Sequence, residues 1–157
     1  RDTKTLKLSG KKDSEGVFMG RTGKYLCLIG IGGSLYYVFE QLFRGFSHWS
    51  MFLLGGICFL FIYLQGSKIG WDEPLWKQIL RCDIFVVSME FMTGIVVNCM
   101  WHMNVWDYTD MPFQILGQIC LPFAIIFAGL CAVGIFLSSY LACYLFGEEK
   151  PVFHVLR

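Results

Sequence analysis

The longest uncharged stretch of the chain runs from Met111 to Gly147, 37 residues without Asp, Glu, Lys or Arg. A second uncharged stretch covers residues 45–67, which is 23 residues. A helix needs roughly 20 apolar residues to cross the hydrocarbon core of a bilayer. Charged residues make up 16% of the chain, whereas soluble domains typically carry about 25%. The sequence therefore predicts a multi-pass integral membrane protein whose first partner is the lipid bilayer.

The apolar segments predict an all-α membrane protein with four transmembrane helices. The predicted spans cover about 25–43, 49–65, 79–101 and 113–146. They form a transmembrane domain over 23–147, which lies between a polar, flexible N-terminal segment at 1–22 and a short tail at 148–157.

The basic residues predict how the helices are oriented. Seven of the 13 Lys and Arg residues precede the first span, whereas the segment 102–112 contains none. Because cytoplasmic segments carry the excess of positive charge, we expect both termini in the cytoplasm and 102–112 outside the cell. No aromatic residue interleaves the basic residues before Phe18, which argues against nucleic acid as a partner. The N-terminal segment is instead expected to contact anionic lipid headgroups at the plasma membrane.

The last apolar segment is too long for a simple span. Its 34 residues, 113–146, would make a helix of about 51 Å, against a hydrocarbon core of about 30 Å. We expect a long helix kinked at Pro122. The alternative is an interfacial or re-entrant first part, with a break near Pro122.

Glu90 is the most costly residue for a membrane protein to accommodate, because it lies near the middle of the third predicted span. An ionised carboxylate there costs a few kcal/mol on insertion scales, so the group should be neutral, paired or in contact with water. One interpretation is a site for protons, cations or a polar substrate, with Asn98 on the same path. The other is a structural hydrogen bond to Ser88, Asn98 or Gln118.

Glu40 and Arg44 stand four residues apart near the outer end of the first span. This is the favourable order for an ion pair on a helix. The pair is either a clamp at the helix end or part of a polar path with Glu90.

Small residues in the apolar segments predict sites of close helix packing, because small side chains let membrane helices approach. The predicted packing positions are Gly32, Gly33, Gly55, Gly56 and Gly117. None of the glycines forms the GxxxxGK[ST] pattern of nucleotide-binding loops, so we do not expect the chain to bind or hydrolyse ATP.

The other candidate site residues are those expected near the outer surface of the membrane. They are His48, His102, Trp106, Asp107 and Tyr108. Tryptophan and tyrosine are typical of the membrane interface. The spacing of the histidines and aspartates fits no familiar metal-ligand set, and neither an HExxH motif nor a Ser/His/Asp arrangement occurs. We therefore expect no metal, no cofactor and no enzymatic activity, although a membrane-embedded enzyme using these residues is an alternative.

Three stretches resemble a family of small bacterial membrane proteins, the ABC-transporter type IV or CmpB-like proteins. They are YVFEQLFRGFSHWSMFLLGGICF at 37–59, SMEFMTGIVVN at 88–98 and VWDYTDMPFQILGQICLPF at 105–123. The matching positions are Glu40, Arg44, Gly45, Ser47, His48, Glu90, Trp106, Asp107, Tyr108, Gly117 and Gln118. The resemblance implies a permease-like transport component in the inner membrane of bacteria.

Two main functional hypotheses follow. In the first, the chain is a permease-like component that forms a homo-oligomer, with its glutamates along a polar path or at the oligomer interface. A separate ATPase subunit would then dock on the cytoplasmic side, near residues 68–81. In the second, the chain is a structural or regulatory membrane protein that binds a partner protein or lipid, and the glutamates only connect helices.

Overall fold

The fold is all-helical, and the computed structural model describes residues 20–156. The four α-helices are α1 (Arg21–Arg44), α2 (Trp49–Ile69), α3 (Leu75–Gly94) and α4 (Leu121–Phe146). A π-helical turn at Ile95–Met100 continues α3 without a break. The predicted N-terminal segment 1–22 lies outside the described residues except for its end, which already belongs to α1.

Three of the four helices, α1, α2 and α4, are long and apolar enough to cross a membrane. Helix α3 is less apolar because its 20 residues include Lys77, Arg81, Asp83 and Glu90. The chain is thus a multi-pass membrane protein, and the fourth span stays a prediction.

Helices α1 and α2 form a tight antiparallel hairpin. Gly45 ends α1 in the left-handed conformation, with φ of 78°, and its backbone N–H donates to the carbonyl of Gln41. Glycine is favoured here because this conformation is strained for side chains with a Cβ. His48 is the N-cap of α2, and its side chain accepts a hydrogen bond from the backbone N–H of Ser50.

Glycines let α1 and α2 approach closely. A Cβ added at Gly32 would lie 2.2 Å from Cβ of Phe59, and one added at Gly55 would lie 2.4 Å from Cβ of Tyr36. On the adjoining face, Cβ atoms at Gly33 and Gly56 would meet backbone carbonyl oxygens of the opposite helix at 2.5 and 2.6 Å. Gly117, in contrast, lies in a loop rather than a helix, with φ of 67°. The expectation that it packs helices was therefore wrong.

The last apolar segment does not form the long helix expected from the sequence. Helix α4 begins only at Leu121, and Pro122 lies in its first turn. Proline is tolerated there because its missing N–H would have no partner within the helix in any case. Residues 113–120 instead form turns, in which the backbone N–H of Ile115 donates to the carbonyl of Ile119 at 2.9 Å. The prediction of one helix over 113–146 with a kink at Pro122 was thus wrong. The helix begins next to Pro122 instead.

The residues 101–120 form a folded loop, here called the cap loop, over one end of the helices. The backbone N–H of Met103 donates to the carbonyl of Val97 at 3.0 Å, and that of Tyr108 donates to the carbonyl of Gly117 at 2.8 Å. Four non-glycine residues adopt positive φ angles, namely His102, Asn104, Phe113 and Leu116. These turns fold the loop back on itself so that its middle faces the helices.

The opposite end of the bundle, here called the tail end, contains the start of α1, the α2–α3 connection and the C-terminal tail. Glu148 forms an ion pair with Lys24 and accepts a hydrogen bond from the hydroxyl of Tyr63 at 2.6 Å. Further along the tail, the carbonyl of His154 accepts a hydrogen bond from the backbone N–H of Leu75 at 2.8 Å. The tail therefore lies against the helices and the α2–α3 connection.

Candidate functional site

Glu90 lies inside the bundle on α3, with 3% of its surface exposed. The hydroxyl of Tyr108, from the cap loop, donates a hydrogen bond of 3.2 Å to Oε1 of Glu90. The Tyr108 ring stacks on Phe123 of α4, with 4.7 Å between the ring centroids. Burial, followed by the nearby Glu90 carboxylate, raises the pKa of Tyr108 above its ordinary value. The hydroxyl therefore keeps its proton and acts as the donor.

Three residues of the α1–α2 hairpin, Glu40, Arg44 and Ser47, form a polar cluster. Arg44 donates to Glu40 at 3.2 Å, and the Ser47 hydroxyl donates to the other oxygen of Glu40 at 3.1 Å. Arg44 also donates to the backbone carbonyl of Val105 at 2.7 Å. This last bond holds the cap loop to the hairpin. Glu40 is buried, but both its carboxylate oxygens are engaged by this cluster.

Asn98, in the π-helical turn, holds the middle of the cap loop. Its Nδ2 donates to the carbonyl of Trp106 at 3.0 Å and to Oε1 of Gln118 at 2.8 Å. Its Oδ1 accepts from the backbone N–H of Val105 at 2.7 Å. The Trp106 indole N–H donates to the carbonyl of Gln118 at 2.9 Å. A π-helical turn shifts side chains relative to an α-helix, and here it carries Asn98 toward the loop.

The remaining candidates, His48, His102 and Asp107, are not assembled into one site. His48 places Nδ1 2.8 Å from Oγ of Ser50 at the start of α2, whereas His102 is exposed. Asp107 accepts hydrogen bonds from the hydroxyl and the backbone N–H of Thr109. These two bonds lower the pKa of Asp107, which is otherwise exposed. Within residues 20–156, no three His, Cys, Asp or Glu side chains lie close enough together to hold a metal ion.

An apolar cavity of about 260 Å³ lies between the four helices. Of the described lining residues, Glu90 is the only one with a charged side chain. The aromatic lining residues are Tyr36, Phe39, Phe59 and Phe127. The helices leave this space because α1 packs mainly on α2, whereas α4 packs on α2 and α3. The geometry thus brings Glu90 to the cavity and leaves Glu40, Arg44 and Asn98 outside its lining.

Sequence reasoning missed the hydrogen-bond partner of Glu90. It named Ser88, Asn98 and Gln118, but Ser88 donates to the carbonyl of Ile84, and Asn98 and Gln118 bond each other. Tyr108 is 18 residues from Glu90 and lies beyond the end of the helix, so helical periodicity does not relate the two positions. Only its position in a loop that folds back over α3 brings it to the carboxylate.

A second polar network at the tail end was also missed. Gln78 is fully buried and donates to the carbonyls of Trp71 and Glu73 at 2.9 and 2.8 Å. Arg81 donates to Oε1 of Gln65 at 2.9 Å and to the Glu73 carboxylate at 2.6 Å. This network fixes the α2–α3 connection on the end of the bundle.

The fold and the site together define an all-helical, multi-pass membrane protein with one buried carboxylate on an internal cavity. The sequence model of the family described as "Putative ABC-transporter type IV" matches residues 21–154. The match covers most of the chain, all four helices and the cap loop, and the chain belongs to this family. Comparison with curated proteins and with solved structures gave no match. The family associates the chain with transporters and with the other components of such systems.

Proposed function

We propose that this chain is a permease-like transport component of the bacterial plasma membrane, with Glu90 as the group that contacts the transported molecule. The observation that carries the proposal is the position of Glu90. It is buried at the wall of a cavity inside the bundle and, among the residues that the structure describes, is the only charged side chain of the lining. Family membership supports the transport class.

The energetics favour a functional role for this carboxylate. Placing an ionised carboxylate at the middle of a membrane helix costs a few kcal/mol on insertion scales. The single hydrogen bond from Tyr108 contributes about 1.5–3 kcal/mol when its acceptor is charged. A leucine on the same wall would pack against Cys58 and Phe127 without that cost. The residue is therefore better explained by contact with a ligand than by stability alone.

We also propose that the tail end faces the cytoplasm and binds a separate ATPase subunit. Lys68 and Lys77 lie at this end, as the positive-inside rule requires of a cytoplasmic face. Trp76 is exposed at the start of α3, and the Lys77 ammonium lies 5.5 Å from the centre of its ring. Aromatic side chains such as the exposed Trp76 are enriched at protein interfaces. A homo-oligomer would then place several such surfaces side by side.

The test is transport by the chain reconstituted with the ATPase that copurifies with it. Glu90→Gln removes the charge and keeps the size of the side chain, so we expect transport to fall at least tenfold with assembly intact. Asp110→Asn is the matched control, because Asp110 is an exposed carboxylate of the cap loop. Failure of any ATPase to copurify would refute the proposed partner. Equal transport by Glu90→Gln and the unchanged chain would refute the role given to Glu90.

One observation favours the structural alternative, namely the hydrogen bond from Tyr108 to Glu90. If this bond were the only purpose of the carboxylate, Tyr108→Phe would lower the unfolding temperature, whereas Glu90→Gln, whose side-chain carbonyl still accepts the bond, would change it little. The double variant would lower it no further than Tyr108→Phe alone. Transport would be the same in all three. A loss of transport confined to Glu90→Gln distinguishes the transport role from this alternative.

A further inference from the structure

The cavity beside Glu90 opens sideways, toward the hydrocarbon of the membrane. Its lining includes Leu35 of α1 and Val133 of α4, which are 49% and 63% exposed. Its inner wall is formed by buried residues, among them Ile62, Cys131 and Glu90. Because the helices α1 and α4 do not pack closely on each other, the gap between them is the mouth. A molecule dissolved in the bilayer could reach Glu90 through this gap without crossing the cap loop.

The size of the cavity limits what can occupy it. The cavity holds about 260 Å³. Drug-sized ligands use pockets of about 300–1,000 Å³. The space is thus suited to one apolar chain or a small ring system.

The charge and shape of the lining identify the head of this molecule. Among residues 20–156, the lining contains no Lys, Arg or His that could bind a carboxylate or a phosphate. Oε1 of Glu90 accepts the bond from Tyr108, and within the described residues Oε2 accepts none. An ammonium group can donate to this free oxygen, and charged hydrogen bonds are stronger than neutral ones. The Tyr36 and Phe39 rings on the same lining can add cation–π attraction.

We propose that the α1–α4 cavity binds an amphiphile with a single apolar chain and a primary amine head, which enters from the bilayer and bonds Glu90. The inference rests on the proposed function, because it names the class of molecule that the transport component would take. The apolar chain lies along Leu35, Leu130 and Val133, and the ammonium lies at Oε2 of Glu90.

Photolabelling of the full chain in nanodiscs of phosphatidylcholine tests the proposal. The probe is decylamine with a diazirine on its chain, and the labelled residues are located by mass spectrometry. We expect label on the cavity lining, and about tenfold less in Glu90→Gln, since loss of a charged hydrogen bond weakens binding by about that factor or more. Asp110→Asn should label like the unchanged chain. Decanol and decanoic acid with the same diazirine should label the lining about tenfold less than the amine.

A second variant keeps the test decisive if Glu90→Gln does not fold. Val133→Trp places a bulky ring at the exposed mouth and leaves Glu90 in place, and it should also reduce labelling of the lining. Equal labelling by the alcohol would overturn the amine assignment, and label spread evenly over the lipid-facing helix surfaces would overturn the cavity. Glu90-dependent transport without Glu90-dependent labelling would refute this inference alone. Labelling without transport would support this inference and refute the proposed function.

Discussion

Replacement of Asn98 by alanine should release the cap loop from the helices. The side chain is 7% exposed and makes three hydrogen bonds, to the Val105 N–H, the Trp106 carbonyl and Oε1 of Gln118. Asn98→Ala removes all three at once. The substitution leaves three groups without their partner, namely the Val105 N–H, the Trp106 carbonyl and Oε1 of Gln118.

The expected cost follows from these three groups. Each buried polar group left without a partner costs about 1–3 kcal/mol. The cap loop lies at the end of the bundle, where water can enter and replace part of the lost bonding. We therefore expect a loss near the lower end of the sum, about 3 kcal/mol in the free energy of unfolding. A change of this size is a substantial fraction of the 5–15 kcal/mol that stabilises a typical domain.

The assay is amide hydrogen exchange of the chain in detergent micelles, combined with the unfolding temperature. Exchange at Val105 should accelerate at least tenfold, because its N–H donates to Asn98, while exchange in α2 should stay close to that of the unchanged chain. Ser88→Ala is the matched control on the same helix, because Ser88 is exposed and its hydroxyl bonds only the carbonyl of Ile84. Unchanged exchange at Val105 in Asn98→Ala would refute the role given to this side chain.

Two further changes test the packing of the hairpin and of the tail. Gly55→Leu should destabilise the chain by at least about 1–3 kcal/mol, the usual cost of overpacking, because its Cβ would lie 2.4 Å from Cβ of Tyr36. Thermal unfolding in detergent measures this, and Gly30→Leu, with open space at the Cβ position, should unfold like the unchanged chain. Glu148→Gln removes the ion pair with Lys24 and should speed proteolysis of the C-terminal tail while lowering stability by less than about 1 kcal/mol. An unchanged cleavage rate would show that the ion pair does not hold the tail.

The positions of the helices follow largely from the sequence, because the cost of burying charge in lipid is local to each segment. The uncharged run 45–67 contains most of α2, and Gly45 ends α1. The start of α4 did not follow from hydropathy. Residues 113–120 are as uncharged as the helix after them, but hydrogen bonds within the cap loop bend them into turns. Such bonds depend on contacts that apolar periodicity does not record.

The site was accessible to sequence reasoning only in part. Glu90 stands out because a carboxylate near the middle of a predicted span is costly, and the sequence places it there. Its bond to Tyr108 and its place on a cavity depend on the three-dimensional arrangement of α1, α4 and the cap loop. The role of Arg44 is similar, since its pairing with Glu40 is visible in the spacing but its bond to the Val105 carbonyl is not.

An experimental structure of the full chain in a lipid bilayer, determined with and without added decylamine, tests the central claim most directly. The account predicts a gap between α1 and α4, with elongated density that extends from Leu35 and Val133 to the free oxygen of Glu90 when the amine is present. Close packing of α1 on α4, with the cavity closed and Glu90 in contact only with the cap loop, would contradict it.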